Sequence, residues 1–80
     1  MQVIVLAHNR EAELEIQTDA WDSFEDLREL VVDAVPNMFH DSDELTLEYL
    51  NAQSRWLRVK LRTPVETVKA ARSARIRASR

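Results

Sequence analysis

The sequence has 80 residues but no glycine and no cysteine, and it contains only two prolines and two histidines. Without glycine, the chain cannot form the glycine-rich loops that hold the phosphates of nucleotides. Without cysteine, it has no disulfide, no thiolate zinc ligand and no thiol nucleophile. No apolar run approaches the roughly 20 residues of a membrane-spanning helix, and residues 1–6 lack the basic flank of a signal peptide. We therefore expect a protein of the reducing cytoplasm or nucleus.

Charge is divided unevenly along the chain. Hydrophobic residues make up 45% of the composition and the formal net charge is only −3, which is typical of one small globular domain over residues 1–80. Residues 1–50 contain 13 Asp and Glu but only two Arg, whereas residues 51–80 contain nine Lys and Arg but only one Glu. These parts carry formal charges of −11 and +8, so the small net charge hides a dipole in the sequence.

Two strands are predicted at the start of the chain. Residues 2–7 form a short aliphatic run, and a polar turn follows at residues 8–11. From Glu11 to Gln17 apolar and polar residues alternate strictly, which predicts a half-buried second strand. Its inward positions are Ala12, Leu14 and Ile16. Its outward glutamates, which we call the acidic edge, are Glu11, Glu13 and Glu15.

A helix is predicted after a polar linker at residues 18–22. Ser23 is a suitable N-cap, and Asp26 is its capping-box partner three residues later. Apolar residues then recur at helical spacing and form one stripe for the core: Phe24, Leu27, Leu30, Val31, Ala34 and Val35. Pro36 predicts the end of this helix near Val35. Two further core residues are expected in the connection that follows, Met38 and Phe39.

Residues 45–50 and 55–62 alternate again and predict a third and a fourth strand. The core positions of the fourth strand are Leu57, Val59 and Leu61. Its remaining positions, which we call the basic edge, are Arg55, Trp56, Arg58, Lys60 and Arg62. Thr63 as cap, Pro64 and Glu66 mark the start of a short second helix over about residues 64–71. Residues 72–80 form either a brief last strand or a tail leading into a larger protein.

The predicted order of strand, strand, helix, strand, strand, helix and short strand is the plan of an α+β, ubiquitin-like β-grasp domain. Three segments carry a closer resemblance: the hairpin Val3–Gln17, SFEDLREL at residues 23–30, and LTLEYLNAQSRWLRV at residues 45–59. The last two are similar to the "TFEELLEKV" and "F-x-L-x-Y-x-D-x-D-G-D-W-V" patterns of one family. The chain resembles the Phox-and-Bem (PB-one) type of ubiquitin-like interaction domain over nearly its whole length. The resemblance implies a non-catalytic protein–protein interaction module of a cytoplasmic scaffold or cytoskeletal protein.

The contact residues usual in that family are missing from this sequence. The family carries several acids in the turn before its Trp and after its fourth strand. This chain has uncharged or basic residues there: Asn51, Gln53, Ser54, Arg62, Thr63 and Pro64. The family also carries a Lys on its first strand, whereas residues 3–7 contain none. The resemblance therefore implies the fold but not the family's usual pairing chemistry.

A β-grasp sheet has the order second, first, fifth, third and fourth strand, which places the acidic edge and the basic edge at opposite sides. Two such edges can dock charged protein segments, with Trp56 as an aromatic anchor, or join copies of the chain head to tail. Charged edge strands also serve simply to prevent aggregation. In that case Trp56 is covered by Arg side chains and the arginines are solvated. We predict docking of a protein partner or a second copy.

Other functions are less well supported by the residues. The basic fourth strand and the C-terminal arginines Arg72, Arg75, Arg77 and Arg80 make a nucleic-acid-binding module the main alternative, although the net charge is negative. A structural spacer without a binding surface is a third interpretation. The acidic loop at residues 41–44 lacks the Gly and Glu of a calcium loop, since Thr46 and Ala52 occupy those positions. Only His8 and His40 could act as general bases near neutral pH, and no nucleophile-elbow motif surrounds any Ser, so we expect no catalysis. We also expect no metal and no cofactor.

Overall fold

The computed structural model describes residues 1–79, which form a mixed five-stranded sheet and two α-helices. The strands are β1 Gln2–Ala7, β2 Arg10–Glu15, β3 Glu44–Leu50, β4 Trp56–Arg58 and β5 Ser73–Ser79; the helices are α1 Phe24–Ala34 and α2 Val65–Lys69. Short 3-10 turns lie at Thr18–Ala20 and Pro36–Met38. The sheet order is β2-β1-β5-β3-β4, with β1 and β5 parallel and the other neighbours antiparallel. This is the predicted order, and it is compatible with a β-grasp.

The core lies between one face of the sheet and the two helices. Alternate residues of the three central strands are buried there, together with residues of both helices: Val3, Val5, Leu47, Ala74, Ile76, Leu27, Val31 and Val68. Burying one such aliphatic side chain contributes about 1.5–3 kcal/mol. The opposite face of the sheet carries the alternate residues, among them Ile4, Leu6, Arg75 and Glu48. These residues define the outer face of the sheet.

Helix α1 begins and ends as predicted. The hydroxyl of Ser23 accepts a hydrogen bond from the backbone N–H of Asp26 at 3.1 Å. The carboxylate of Asp26 accepts from the backbone N–H of Asp22, one residue before the expected partner. The helix stops at Ala34 because Pro36 follows. The predicted core placement of Ala34 is wrong, because this last residue of the helix is exposed. In the connection, Met38 is buried and Phe39 packs against the core, as expected.

The absence of glycine is visible in the turns. His8 and Asn9 connect β1 to β2 with φ angles of 50° and 67°, and Ser54 has a φ angle of 60° in the turn between β3 and β4. Two consecutive residues at positive φ form the tight hairpin turn that matches the twist of the flanking strands. Asn and His tolerate this conformation better than most side chains. The chain therefore accepts backbone strain at positions where glycine is common.

The fourth strand is shorter than predicted, and the core placements of Leu57 and Leu61 are wrong. Strand β4 covers only Trp56–Arg58 rather than residues 55–62. The hydroxyl of Thr63 accepts the backbone N–H of Lys60 at 2.8 Å, and the N–H of Thr63 donates to the Lys60 carbonyl at 3.0 Å. This side-chain-closed turn competes with the ladder and ends the strand. Leu61 is consequently fully exposed and Leu57 is 39% exposed, whereas Val59 does pack against the core.

Three other segments differ from or sharpen the sequence expectations. Helix α2 begins after Pro64 without a side-chain cap, because Thr63 bonds back to Lys60, and it ends at Lys69. Trp21, placed in a linker by the sequence, is only 1% exposed and is among the largest buried side chains. Of the two alternatives for residues 72–80, the strand is the one found, and β5 lies at the centre of the sheet. Arg80 lies outside the described residues.

Candidate functional site

One row of residues crosses the outer face of the sheet from the acidic edge to the basic edge. The strand pairings place Glu13 beside Ile4, Ile4 beside Arg75, Arg75 beside Glu48, and Glu48 beside Arg58. The row begins with an acid on β2 and ends with a base on β4, which are the two edge strands. The two edge strands therefore carry opposite charges, with Arg75 and Glu48 alternating in sign between them.

The acidic edge is a continuous feature of strand β2. All three of its glutamates are exposed, and they pair across the strands with uncharged residues, namely Leu6, Ile4 and Gln2. Glu15 lies 2.8 Å from the Met1 amino group, while Glu11 and Glu13 make no ion pair within residues 1–79. No cation neutralises Glu11 or Glu13 in this part of the chain, so their negative potential is available to a partner.

The basic edge is less regular, because only Trp56 and Arg58 lie within β4. Arg55 precedes the strand, and Lys60 and Arg62 lie in the turn closed by Thr63. All four cationic residues of this edge are exposed, and none of them forms an ion pair within the described residues. Their charges are thus open to a partner. The basic edge consists of a short strand followed by a turn, whereas the sequence predicted a single strand over residues 55–62.

Trp56 is partly covered from within the domain. The guanidinium of Arg75 lies 4.4 Å from the centre of the Trp56 ring. The same guanidinium donates from Nε to the Glu48 carboxylate at 2.8 Å, and Arg77 lies 3.9 Å from that carboxylate. One face of the indole is therefore occupied by Arg75, whose charge is balanced by Glu48. Only the rest of the ring is free to contact a partner.

A second polar cluster joins the tip of the β1–β2 turn to the loop before β3. His8 Nε2 lies 2.8 Å from an Asp43 carboxylate oxygen, and that oxygen also accepts the backbone N–H of His40 at 2.9 Å. The rings of His8 and His40 meet edge to face at 4.3 Å between centroids. The Asp43 side chain is only 1% exposed, and its other oxygen is buried without a partner within residues 1–79. The cluster holds the two loops together.

The electrostatics of this cluster favour the charged form of Asp43. The backbone N–H of His40, and then the side chain of His8, lower the pKa of that carboxyl below its ordinary value. The sequence predicts His8 in or near the first turn and His40 in a loop, but it does not predict their contact with Asp43. No periodic pattern links them, because 35 positions separate His8 from Asp43. Within residues 1–79, no group of three or more candidate ligands could hold a metal ion.

Comparison with known proteins assigns no family to this chain. No family model matches it, and no curated protein does so either. Among the helices of residues 1–79, none has both the length and the apolar character needed to cross a membrane. The function is therefore inferred from the chemistry of the two edges.

Proposed function

We propose that this chain is a ubiquitin-like, PB-one-type protein–protein interaction module of a scaffold or cytoskeletal protein. It docks charged partner segments, and copies of itself head to tail, through the acidic edge and the basic edge. The observation that carries the proposal is the row from Glu13 to Arg58, because it ends in opposite charges on the two free edges. A second copy placed beside β4 continues this row by setting its own Glu13 next to Arg58.

Several weak contacts have to act together in such an interface. A single exposed ion pair contributes only about 0–1 kcal/mol. The acidic edge offers three carboxylates and the basic edge four cations, none of the latter occupied by an internal partner in the described residues. When two different surfaces join neighbouring copies, the assembly grows into an open chain unless the rotation between neighbours closes it into a ring. The arrangement thus supports open, salt-sensitive chains of copies.

Sedimentation velocity at low and high ionic strength tests the proposal. Association is expected at low salt and dissociation at high salt, because exposed charges are screened over about 10 Å at 0.1 M ionic strength. Reversing two charges of the basic edge, R58E/K60E, should give a monomer even at low salt. The matched control R28E/R72E changes the net charge equally but lies away from both edges, so it should behave as the parent chain.

The same variants separate the alternative functions. The parent chain is tested for retention of a pool of RNA and DNA. If R58E/K60E abolishes this retention and does not change protein association, the chain is a nucleic-acid-binding module instead. A parent chain that stays monomeric at low salt and high protein concentration argues against head-to-tail association. If R58E/K60E also leaves every pulldown partner in place, the chain is better described as a spacer.

A further inference from the structure

Leu61 is the most exposed apolar side chain of the described residues. Its relative exposure is 102%, in a chain whose other exposed large hydrophobic residue, Leu57, reaches only 39%. It lies at the tip of the turn Lys60–Thr63, which we call the Leu61 turn and which Thr63 closes with two hydrogen bonds. Exposed Lys60 and Arg62 flank it. The turn therefore presents an apolar tip between two cations in a fixed conformation.

A cavity with a mainly apolar lining lies at the opposite edge of the sheet from Leu61. It has a volume of about 360 Å³ and lies between strand β2 and the C-terminal end of helix α1. We call it the β2–α1 pocket; its apolar lining consists of Ala12, Ala34, Val35, Pro36 and Met38. Glu11 of the acidic edge, Arg10 and Asn37 complete the lining.

The charges around the pocket favour the binding of a positively charged segment. The last turn of α1 contains no basic residue, so the negative end of the helix dipole is not compensated there. Asp33 is exposed one position before Ala34 in the same turn. Glu11 and Arg10 are the charged residues of the lining, and Asp33 directly precedes the lining residue Ala34 in sequence.

The register of the sheet places the turn and the pocket at the same level. Ala12 pairs with Val5, Val5 with Ile76, and Ile76 with Leu47. The N–H of Val59 donates to the Leu47 carbonyl at 2.8 Å, so Val59 continues this row beyond β4. The Leu61 turn begins at the next residue, and the β2–α1 pocket is lined by Arg10, Glu11 and Ala12 at the far edge. The Leu61 turn and the β2–α1 pocket therefore lie at corresponding positions along the two edge strands.

We infer that Leu61 of one copy inserts into the β2–α1 pocket of the next copy, with Lys60 and Arg62 beside Glu11 and Asp33. This inference rests on the proposed head-to-tail association, and it adds an apolar contact to the charged contacts of that interface. The exposed charges alone contribute little, whereas a central apolar side chain in a pocket is where interfaces concentrate their binding energy. A knob and a pocket on opposite edges of one sheet also form the heterologous kind of contact that propagates.

Two variants test the contact from its two sides. L61S removes the knob, and A34W fills the pocket at an exposed position of α1. Each should weaken self-association at low salt about 10- to 100-fold, the factor that corresponds to exposing one leucine side chain. L61M keeps an apolar knob and should associate as the parent does. A70W fills a different surface cavity, between α2 and the end of β3, and is the matched control.

Mixing shows whether the two variants disrupt the same contact. L61S retains an intact pocket and A34W retains an intact knob, so an equimolar mixture should form a dimer that grows no further. If L61S alone and A34W alone each self-associate as strongly as the parent chain, while R58E/K60E is monomeric, the inference is overturned and the charged docking remains. If the parent chain is monomeric, or if R58E/K60E associates as strongly as the parent, the proposed head-to-tail association itself fails and the inference fails with it.

Discussion

The central carbon of the Arg75 guanidinium lies 4.4 Å from the centre of the Trp56 ring, while Nε of the same guanidinium donates a hydrogen bond to Glu48. The pair joins the central strand β5 to the edge strand β4 across β3. Because β4 contains only three residues, its ladder alone holds it weakly. The contact between Arg75 and Trp56 therefore positions the basic edge.

Replacing Arg75 should loosen that edge. R75A removes the cation from the Trp56 ring and leaves the largely buried Glu48 carboxylate without its closest partner. We expect the free energy of unfolding to fall by about 1–2 kcal/mol, as measured by urea unfolding followed by circular dichroism. R77A is the control, because Arg77 is exposed and lies 3.9 Å from the same carboxylate, and it should cost under about 0.5 kcal/mol. Equal losses in the two variants would contradict this role.

The lack of glycine should lower the free energy of unfolding at Ser54. Its φ of 60° lies in the left-handed region, in a turn that Asn51 closes by accepting the N–H groups of Gln53 and Arg55. S54G should raise the free energy of unfolding by about 0.5–1 kcal/mol, since glycine removes the strain but gains freedom in the unfolded chain. A52G, in the same turn but without a positive φ, should lower it by about 0.5 kcal/mol. Urea unfolding measures both, and a destabilised S54G would refute the explanation.

Acid stability should depend on Asp43. Its pKa in the folded chain lies below the ordinary value of 3.8, so the unfolded state takes up the proton more readily. The stability that Asp43 contributes is present above that value and is lost as the pH falls through the lower folded pKa. D43N should lower the free energy of unfolding at neutral pH and flatten its decline as the pH falls below 3.8.

Urea unfolding over that pH range provides the measurement for D43N. Asp41 is exposed in the same loop, so D41N is the matched control and should follow the parent curve. A D43N curve that declines as steeply as the parent curve would show that the contacts of Asp43 with His8 and His40 do not support the fold.

Periodicity was sufficient to predict most of the architecture. The alternation at Glu11–Gln17, the stripe of α1 and the stop at Pro36 each depend on neighbours in sequence, and each corresponds to an observed element. The sheet order was implied by the β-grasp plan that this order of elements resembles, and it is the order observed. The acidic edge was predictable for the same reason, because its outward side is set by the period of two along one strand.

The missed features depend on contacts that periodicity does not encode. The alternation of residues 55–62 continues through Leu61, but the bond from Lys60 to Thr63 turns the chain away from the sheet. Trp21 lies between polar residues in the sequence, but the fold places it in the core cluster, where Phe24 and Lys69 also contact its ring. Arg75 was grouped with a C-terminal basic cluster, whereas its position in β5 directs it to Trp56 and Glu48.

The central claim is that the acidic edge of one copy binds the basic edge of the next, and neutral variants of the two edges test it directly. E11Q/E13Q/E15Q and R58Q/K60Q/R62Q each keep one intact edge. At low ionic strength, sedimentation velocity should find each variant monomeric and their equimolar mixture dimeric, with no larger species. Either variant associating alone as the parent chain does, or a mixture that remains monomeric, would contradict the claim.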